Sequence, residues 1–392
     1  MARPDRLLLI RRLQDLRHSH VVSYITSTRP NLEVQMAMDS VRRIFDHVRA
    51  IGRPKDEVKI DLFLHSNGGD GTVPWRLVTL LREFDNRLAV LVPFRAFSAA
   101  TLTALGADAV VMHPMGMLGP TDATVANDFN PSDPLNPARK IGISVEDVAA
   151  FITLVREDAG IQHEDQLVEV IRVLSEKVHP LALGNVKRSM SQSRMMARKL
   201  LSHHMDAVRD SHKIDELVDK LTSKMYYHGH PINRSEAKEE VGLSTVEIPS
   251  PEVEAAMWNL FLDYENDLEM ESPFDAAAEF LSAFPAQPVG TTDTTPTKTA
   301  KLAIIESLYR TDTAEMRYEL VGTKNPAGAT QVSLIKLSQR WVTDTAGAPA
   351  AIPAEPASQE APSVPAAASP SFSARMGKNI TKEPSTPAAK TK

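Results

Sequence analysis

The sequence contains no cysteine. That excludes disulfides, thiolate zinc sites, iron–sulfur clusters and a cysteine nucleophile. Aromatic residues are scarce at 5%, which argues against a stacking platform for single-stranded nucleic acid. No charge of one sign dominates: 44 Lys and Arg stand against 50 Asp and Glu, a formal net charge of −6. Such mild acidity supplies no global attraction to nucleic acid or anionic lipid. Long hydrophobic runs are missing too. In the basic stretch Arg3–Arg17 the only apolar run is 7–10, far shorter than a signal-peptide core or a span of about 20 residues. The stretch reads as a short amphipathic helix lying on the body of the protein or on a neighbour. Membrane association is not the expected mode, and the expected compartment is the cytoplasm.

What is present is ample apolar material, 42% of 392 residues, enough for two or three domains or one large one with appendages. The last fifty residues, 343–392, hold eight prolines and thirteen alanines and almost no large apolar side chain. Such a segment cannot offset the entropy of ordering, so a disordered tail is expected. Before it, 301–308, 316–321 and 330–337 alternate apolar with polar residues around Asn325-Pro326 and Gly328, the pattern of a small antiparallel β-meander. A Thr- and Pro-rich stretch reads as a linker. The expected organisation is therefore a basic helix at 1–19, a main domain at 20–285, a linker at 286–300, a meander at 301–342 and the tail.

Within the main domain, strand-like 21–26, 58–65, 88–92 and 109–112 alternate with helical spacing at 32–52, 73–84 and 98–106. This repeated beat predicts an α/β fold with largely parallel pairing. From 145 to 225 the apolar spacing is mostly three to four, so a helical second half follows.

Two turns stand at the carboxyl ends of predicted strands. His65-Ser66-Asn67-Gly68-Gly69-Asp70-Gly71 carries three glycines in four residues. Backbone amides in such a turn can approach and hold an oxyanion or a phosphate. It is neither a Walker loop nor GxGxxG, and a plain tight turn is its ordinary alternative. In Phe97-Ser98-Ala99-Ala100 a serine sits between a strand and a helix, followed by two small residues. Its hydroxyl can project from the turn, or it can serve only as a helix N-cap.

Three segments in order, IDLFLHSNGGDG (60–71), FSAATLTALGADAVVMHPMGMLGPTD (97–122) and YHGHPINRSEAKEEVGL (227–243), resemble the ClpP/crotonase superfamily of serine peptidases. The nearest resemblance is to the serine dehydrogenase proteinase family, relatives of the signal peptide peptidases, and it covers about 20–250. It implies a repeated β-β-α core, with Ser98 as nucleophile. The amide of Ala99 and an amide of the Gly68/Gly69 turn would form the oxyanion hole. The Ala-Ala after the serine departs from the Gly-Gly or Met-Gly of many relatives, which narrows the site slightly while leaving the amide free.

A serine hydroxyl needs a group to take its proton. Signal peptide peptidases use a lysine, which must be held neutral by burial. Lys140 stands in sequence much like the lysine of archaeal membrane-associated ClpP-class proteases. Lys187 is the second candidate and Lys177 the third, while His113, inside His-Pro at a strand end, reads as structural. Asp122 reads as a turn residue. His203, His204 and His212 lack the spacing of a zinc site. Met195 and Met196 read as core or subunit interface, with Arg194, Arg198 and Lys199 as their solvated face.

The resemblance implies no metal and no organic cofactor, a peptide or protein substrate, no nucleic-acid partner, and a homo-oligomer. Two rival functions stay open: a crotonase-type acyl-thioester enzyme using the same amides, and a catalytically silent oligomeric scaffold whose tail recruits partners.

Overall fold

The computed structural model describes residues 3–345 apart from 86, 122–123, 126, 134–139 and 225–229. The tail expected at 343–392 therefore lies almost wholly outside the described residues, as does Asp122.

The chain opens with α1 (Arg3–Arg17), β1 (His20–Thr26) and α2 (Met38–Ile51). It continues through β2 (Ile60–His65), α3 (Val73–Arg82), β3 (Ala89–Val92), β4 (Arg95–Ala96), α4 (Ala99–Leu105), β5 (Ala109–Met112) and β6 (Met117–Leu118). The short strands β7 (Thr124–Val125) and β8 (Ile143–Ser144) pair with each other. The helical part comprises α5 (Val145–Thr153), α6 (Glu164–Lys177), α7 (Pro180–Leu201) and α8 (Ser211–Asp219). Then come β9 (Ile232–Asn233), the short α9 (Arg234–Glu236), β10 (Val246–Glu247), α10 (Pro251–Asp267) and α11 (Ala276–Ala283). The strands β11 (Thr292–Thr294), β12 (Lys298–Glu306), β13 (Thr311–Lys324) and β14 (Thr330–Asp344) close the described chain.

The fold is the expected α/β one. Strands β10, β5, β3, β2 and β1 pair in parallel in that order. Their near-continuous apolar runs suit a sheet buried on both faces. The alternation sorts side chains cleanly: Val22, Leu62, Leu64, Val90 and Val110 enter one core, and Val21, Phe63, Leu91 and Val111 enter the other. Residues of α2, α3, α4, α7 and α8 fill the first core. The second is covered by α1 and α10, so the N-terminal helix lies on the body of the protein.

Local sequence explains the helix ends. In α2, Val41, Ile44, Val48 and Ile51 recur every three to four residues on the buried face, and Gly52 stops the helix at φ 66°. Helix α10 begins at Pro251 behind Ser250, whose hydroxyl accepts from the Val253 amide.

Two expectations need correction. The helix expected over 32–52 begins only at Met38. Before it, the Val34 amide donates to Ser27 O and Met36 bridges Gly69, so the preceding residues run as an extended strip beside the glycine turn. The meander is present as β12–β13–β14, but β12 pairs antiparallel with β1, with Thr26 opposite Ala303. These strands extend the central sheet rather than standing beyond a linker, and the 286–300 stretch itself contributes β11.

Candidate active site

Both singled-out turns fall at the carboxyl ends of parallel strands, and the sheet brings them together. Ser66 at the end of β2 donates its amide to Arg95 O (2.9 Å) and accepts from the Phe97 amide (3.0 Å). This stitches the glycine turn to the segment that carries Ser98. Ser98 itself takes φ 51° and ψ −112° immediately before α4. A non-glycine residue in that region is strained, and such strain concentrates at functional turns. Ser98 makes no side-chain cap to α4, so the N-cap alternative is not what the hydroxyl does. The turn is braced behind by buried Thr101, whose hydroxyl donates to Ala96 O (2.6 Å) and accepts from the Gly119 amide (3.0 Å).

Gly68 explains why a side chain is absent there. It sits at φ 92°, and a β-carbon on it would lie 2.6 Å from Phe97 O, 2.8 Å from Ser98 Cβ and 3.0 Å from the Ala99 nitrogen. A β-carbon on Gly69 would lie 2.4 Å from Met36 O. The Gly68 amide is already committed, donating to Ser66 Oγ at 3.0 Å. Among the described residues, the amides of Gly69 and Ala99 have no such acceptor. Buried Ser66 also accepts from Thr26 Oγ1 (2.8 Å), so one hydroxyl fixes the whole turn.

The turns open into a cavity of about 470 Å³ lined by Gly68, Gly69, Ser98, the 33–35 strip, Thr121 and one side of α7. From α7 come Ser189, Gln192 and Ser193, and Ser193 Oγ bonds Thr121 O. Among the described residues, the charged ones lining it are Glu33 and Asp70. Beneath the floor, His65 is fully buried between Phe94 and Phe261. Burial, with Arg95 adding to it, pushes the imidazole down to about 3. It stays neutral, and its Nδ1 accepts from the Arg95 amide (3.2 Å).

Residues 2–183 match the model of a family described as ClpP-like SDH-type serine proteinases. The matched region takes in the glycine turn, Ser98 and Lys140, and ends before Lys187. Curated relatives include two uncharacterised proteins of Methanocaldococcus jannaschii. One is 23% identical over 192 residues, 49% of this chain and 54% of the relative. The other is 25% identical over 241 residues, 60% of this chain and 71% of the relative. The chain thus spans about half the length of the first of them. Among solved structures, two mutants of the 1510-N membrane-bound stomatin-specific protease are similar. One shares 12% identity at a TM-score of 0.32, covering 65% of this chain and 89% of that one. The other, in complex with a substrate peptide, shares 11% at a TM-score of 0.24, covering 62% and 99%.

The two turns bring Gly68 and Gly69 beside Ser98 and Ala99; the lysines are not brought to them. Lys140 is exposed and gives its amine to Ser132 Oγ (3.2 Å). Lys187 is exposed on α7, and Lys177 is exposed at the end of α6. Among the described residues, no lysine or histidine lines the cavity. His113 stacks on Trp258 at 4.9 Å and accepts from the Met115 amide, a structural role. His203 stacks on Trp75 while His204 bonds Leu105 O. Ser66 and Thr101, which brace the site, were missed as functional residues. Only the position of Ser66, between a buried strand and the glycines, hinted at its role. Among the described residues, no helix is long and apolar enough to cross a membrane.

Proposed function

We propose that the protein is a serine peptidase that cleaves peptide bonds through Ser98. The observation that carries the reading is the pairing of a strained, uncapped Ser98 with a glycine turn against its Cβ, at the mouth of a polar cavity. In this reading Ser98 Oγ attacks the scissile carbonyl, and the amides of Gly69 and Ala99 take the developing oxyanion. Gly68 contributes by its lack of a side chain, its own amide being held by Ser66. The proton leaves Oγ for a general base and passes to the departing amine, giving an acyl-enzyme that water hydrolyses. Two donors on the oxyanion are worth roughly 3–4 kcal/mol each when removed singly.

Lys140 is the base we assign and Lys187 the alternative; either must move to reach Ser98 from the position described above. Catalytic hydrogen bonds often close only on substrate binding. A peptide substrate and a homo-oligomeric state belong to the same proposal. The absence of a lysine or histidine from the described cavity wall favours a second reading, the silent scaffold.

Hydrolysis of an unbiased peptide library separates them. The peptidase reading expects turnover that is lost in Ser98→Ala and Lys140→Ala and retained in Lys187→Ala. Turnover retained in Lys140→Ala and lost in Lys187→Ala moves the base to Lys187. No turnover by any form, with folded protein, favours the scaffold.

A further inference from the structure

We infer that the cavity selects substrates by charge: Glu33 and Asp70 receive a cationic side chain, so the preferred peptides carry a lysine or arginine beside the bond presented to Ser98. The inference rests on the peptidase reading and names the substrate class of that site. The strip that carries Glu33 is held at two points. Val34 donates its amide to Ser27 O (2.9 Å), and Met36 donates to Gly68 O (2.8 Å) while its own carbonyl accepts from the Asp70 amide (3.0 Å). Met36 is buried and Val34 packs on the apolar side. The two-residue alternation of extended backbone therefore sends Glu33 and Gln35 to the open face, where both line the cavity. Asp70 follows directly on Gly69, whose amide is one of the two offered to the oxyanion. Its Oδ1 accepts from the Thr72 amide (2.8 Å) and hydroxyl (2.7 Å), which leaves Oδ2 for a ligand.

No cation of the described chain answers these two carboxylates. Among the described residues neither is in an ion pair, while Arg29, ahead of the strip, is taken by Glu269 and Arg194 on α7 by Asp219. The rest of the wall suits a long cationic side chain. Val34 and Leu102 can carry its aliphatic stem, and the side-chain oxygens of Gln35, Asn67 and Gln192 can accept its remaining N–H groups. A concave wall bearing charge of one sign draws in the opposite sign and rejects its own. An acidic substrate side chain would add a third negative charge there, and a large apolar one would cover polar groups without pairing them.

Peptide binding to the full-length Ser98→Ala chain tests this without requiring turnover. Fluorescence anisotropy compares peptides that differ only in carrying lysine, norleucine or glutamate at one position, each position in turn. At one position lysine is expected to bind about tenfold more tightly than norleucine, and glutamate more weakly than either. The lysine advantage is expected to shrink in about 1 M salt. Glu33→Gln with Asp70→Asn, which keeps an acceptor for Thr72, is expected to bring the lysine-to-norleucine ratio to about one. Glu33→Lys alone is expected to favour glutamate. A ratio near one at every position overturns the inference, as does a lysine preference that survives Glu33→Gln with Asp70→Asn, or the absence of binding by any peptide. A preference that emerges only in Lys140→Ala or Lys187→Ala also overturns it, assigning the carboxylates to the chain's own amine. Lysine-selective binding without hydrolysis by the wild type leaves the inference standing and refutes the peptidase reading. Hydrolysis without lysine preference does the reverse.

Discussion

Replacing Gly68 by alanine probes the contact between the two turns. Gly68 sits at φ 92°, where an L side chain costs roughly 1–2 kcal/mol. The added methyl would also lie 2.6 to 3.0 Å from Phe97 O, Ser98 Cβ and the Ala99 nitrogen, against ordinary contact beginning near 3.4 Å. Two of those neighbours are backbone atoms and cannot rotate away, so the turns must part by several tenths of an ångström. Forced overpacking adds about 1–3 kcal/mol, which a domain stable by about 5–15 kcal/mol survives. Displacement of a nucleophile toward 1 Å costs on the order of 10²-fold in rate. The assay compares second-order labelling of Ser98 by a fluorophosphonate with the urea midpoint. Gly71→Ala is the control, since Gly71 lines the same cavity with nothing within 4 Å of its added methyl. Gly68→Ala matching Gly71→Ala in both labelling and midpoint would show that the two turns do not bear on each other through Gly68.

Other outcomes follow from the same contacts. Ser66→Ala removes the acceptor shared by Thr26 and the Gly68 amide; a loss of about 1–3 kcal/mol in urea denaturation, with slower labelling, is expected. Arg6, 5% exposed, ties α1 to Asp263, Asp267 and Glu306. Arg6→Met removes their shared cation, with an expected loss of about 3–5 kcal/mol and faster proteolysis at α1. The pH response has a definite sign. His65 is held near 3 in the fold by burial against an ordinary value near 6.5. The folded state therefore binds fewer protons than the unfolded one between those values. The stability is present above about 6.5 and lost as pH falls toward 3, about 2 kcal/mol by pH 5. Urea midpoints at pH 7 and 5 measure it, and an unchanged midpoint would contradict the neutral, buried imidazole.

The parallel core was readable because its signals are local: apolar runs of strand length, and Gly-Gly and Ser-Ala-Ala just past two of them. The turns were readable as separate motifs, and the parallel bridge of Ser66 to Ala96 beyond the ends of β2 and β3 is what sets them side by side. Less legible was whatever depends on distant partners. The Thr- and Pro-rich composition before β12 suggested a linker, yet Thr26 to Ser23 supply the edge on which Ala303 to Glu306 pair. The 32–36 strip has helical spacing, but Ser27 and Gly69 hold it extended. Lys140 matches by position in sequence alone, and its amine goes instead to Ser132. Ser66 carries no spacing signature at all; only the crossing of Thr26 and Gly68 over its hydroxyl reveals its use.

The peptidase reading requires Ser98 to be an activated nucleophile. Fluorophosphonate labelling of the full chain, wild type beside Ser98→Ala, with the modified peptide mapped by mass spectrometry, tests it most directly. One adduct is expected, on Ser98, absent from the mutant. An unlabelled Ser98 in folded, assembled protein, or an adduct that persists in Ser98→Ala, would contradict it.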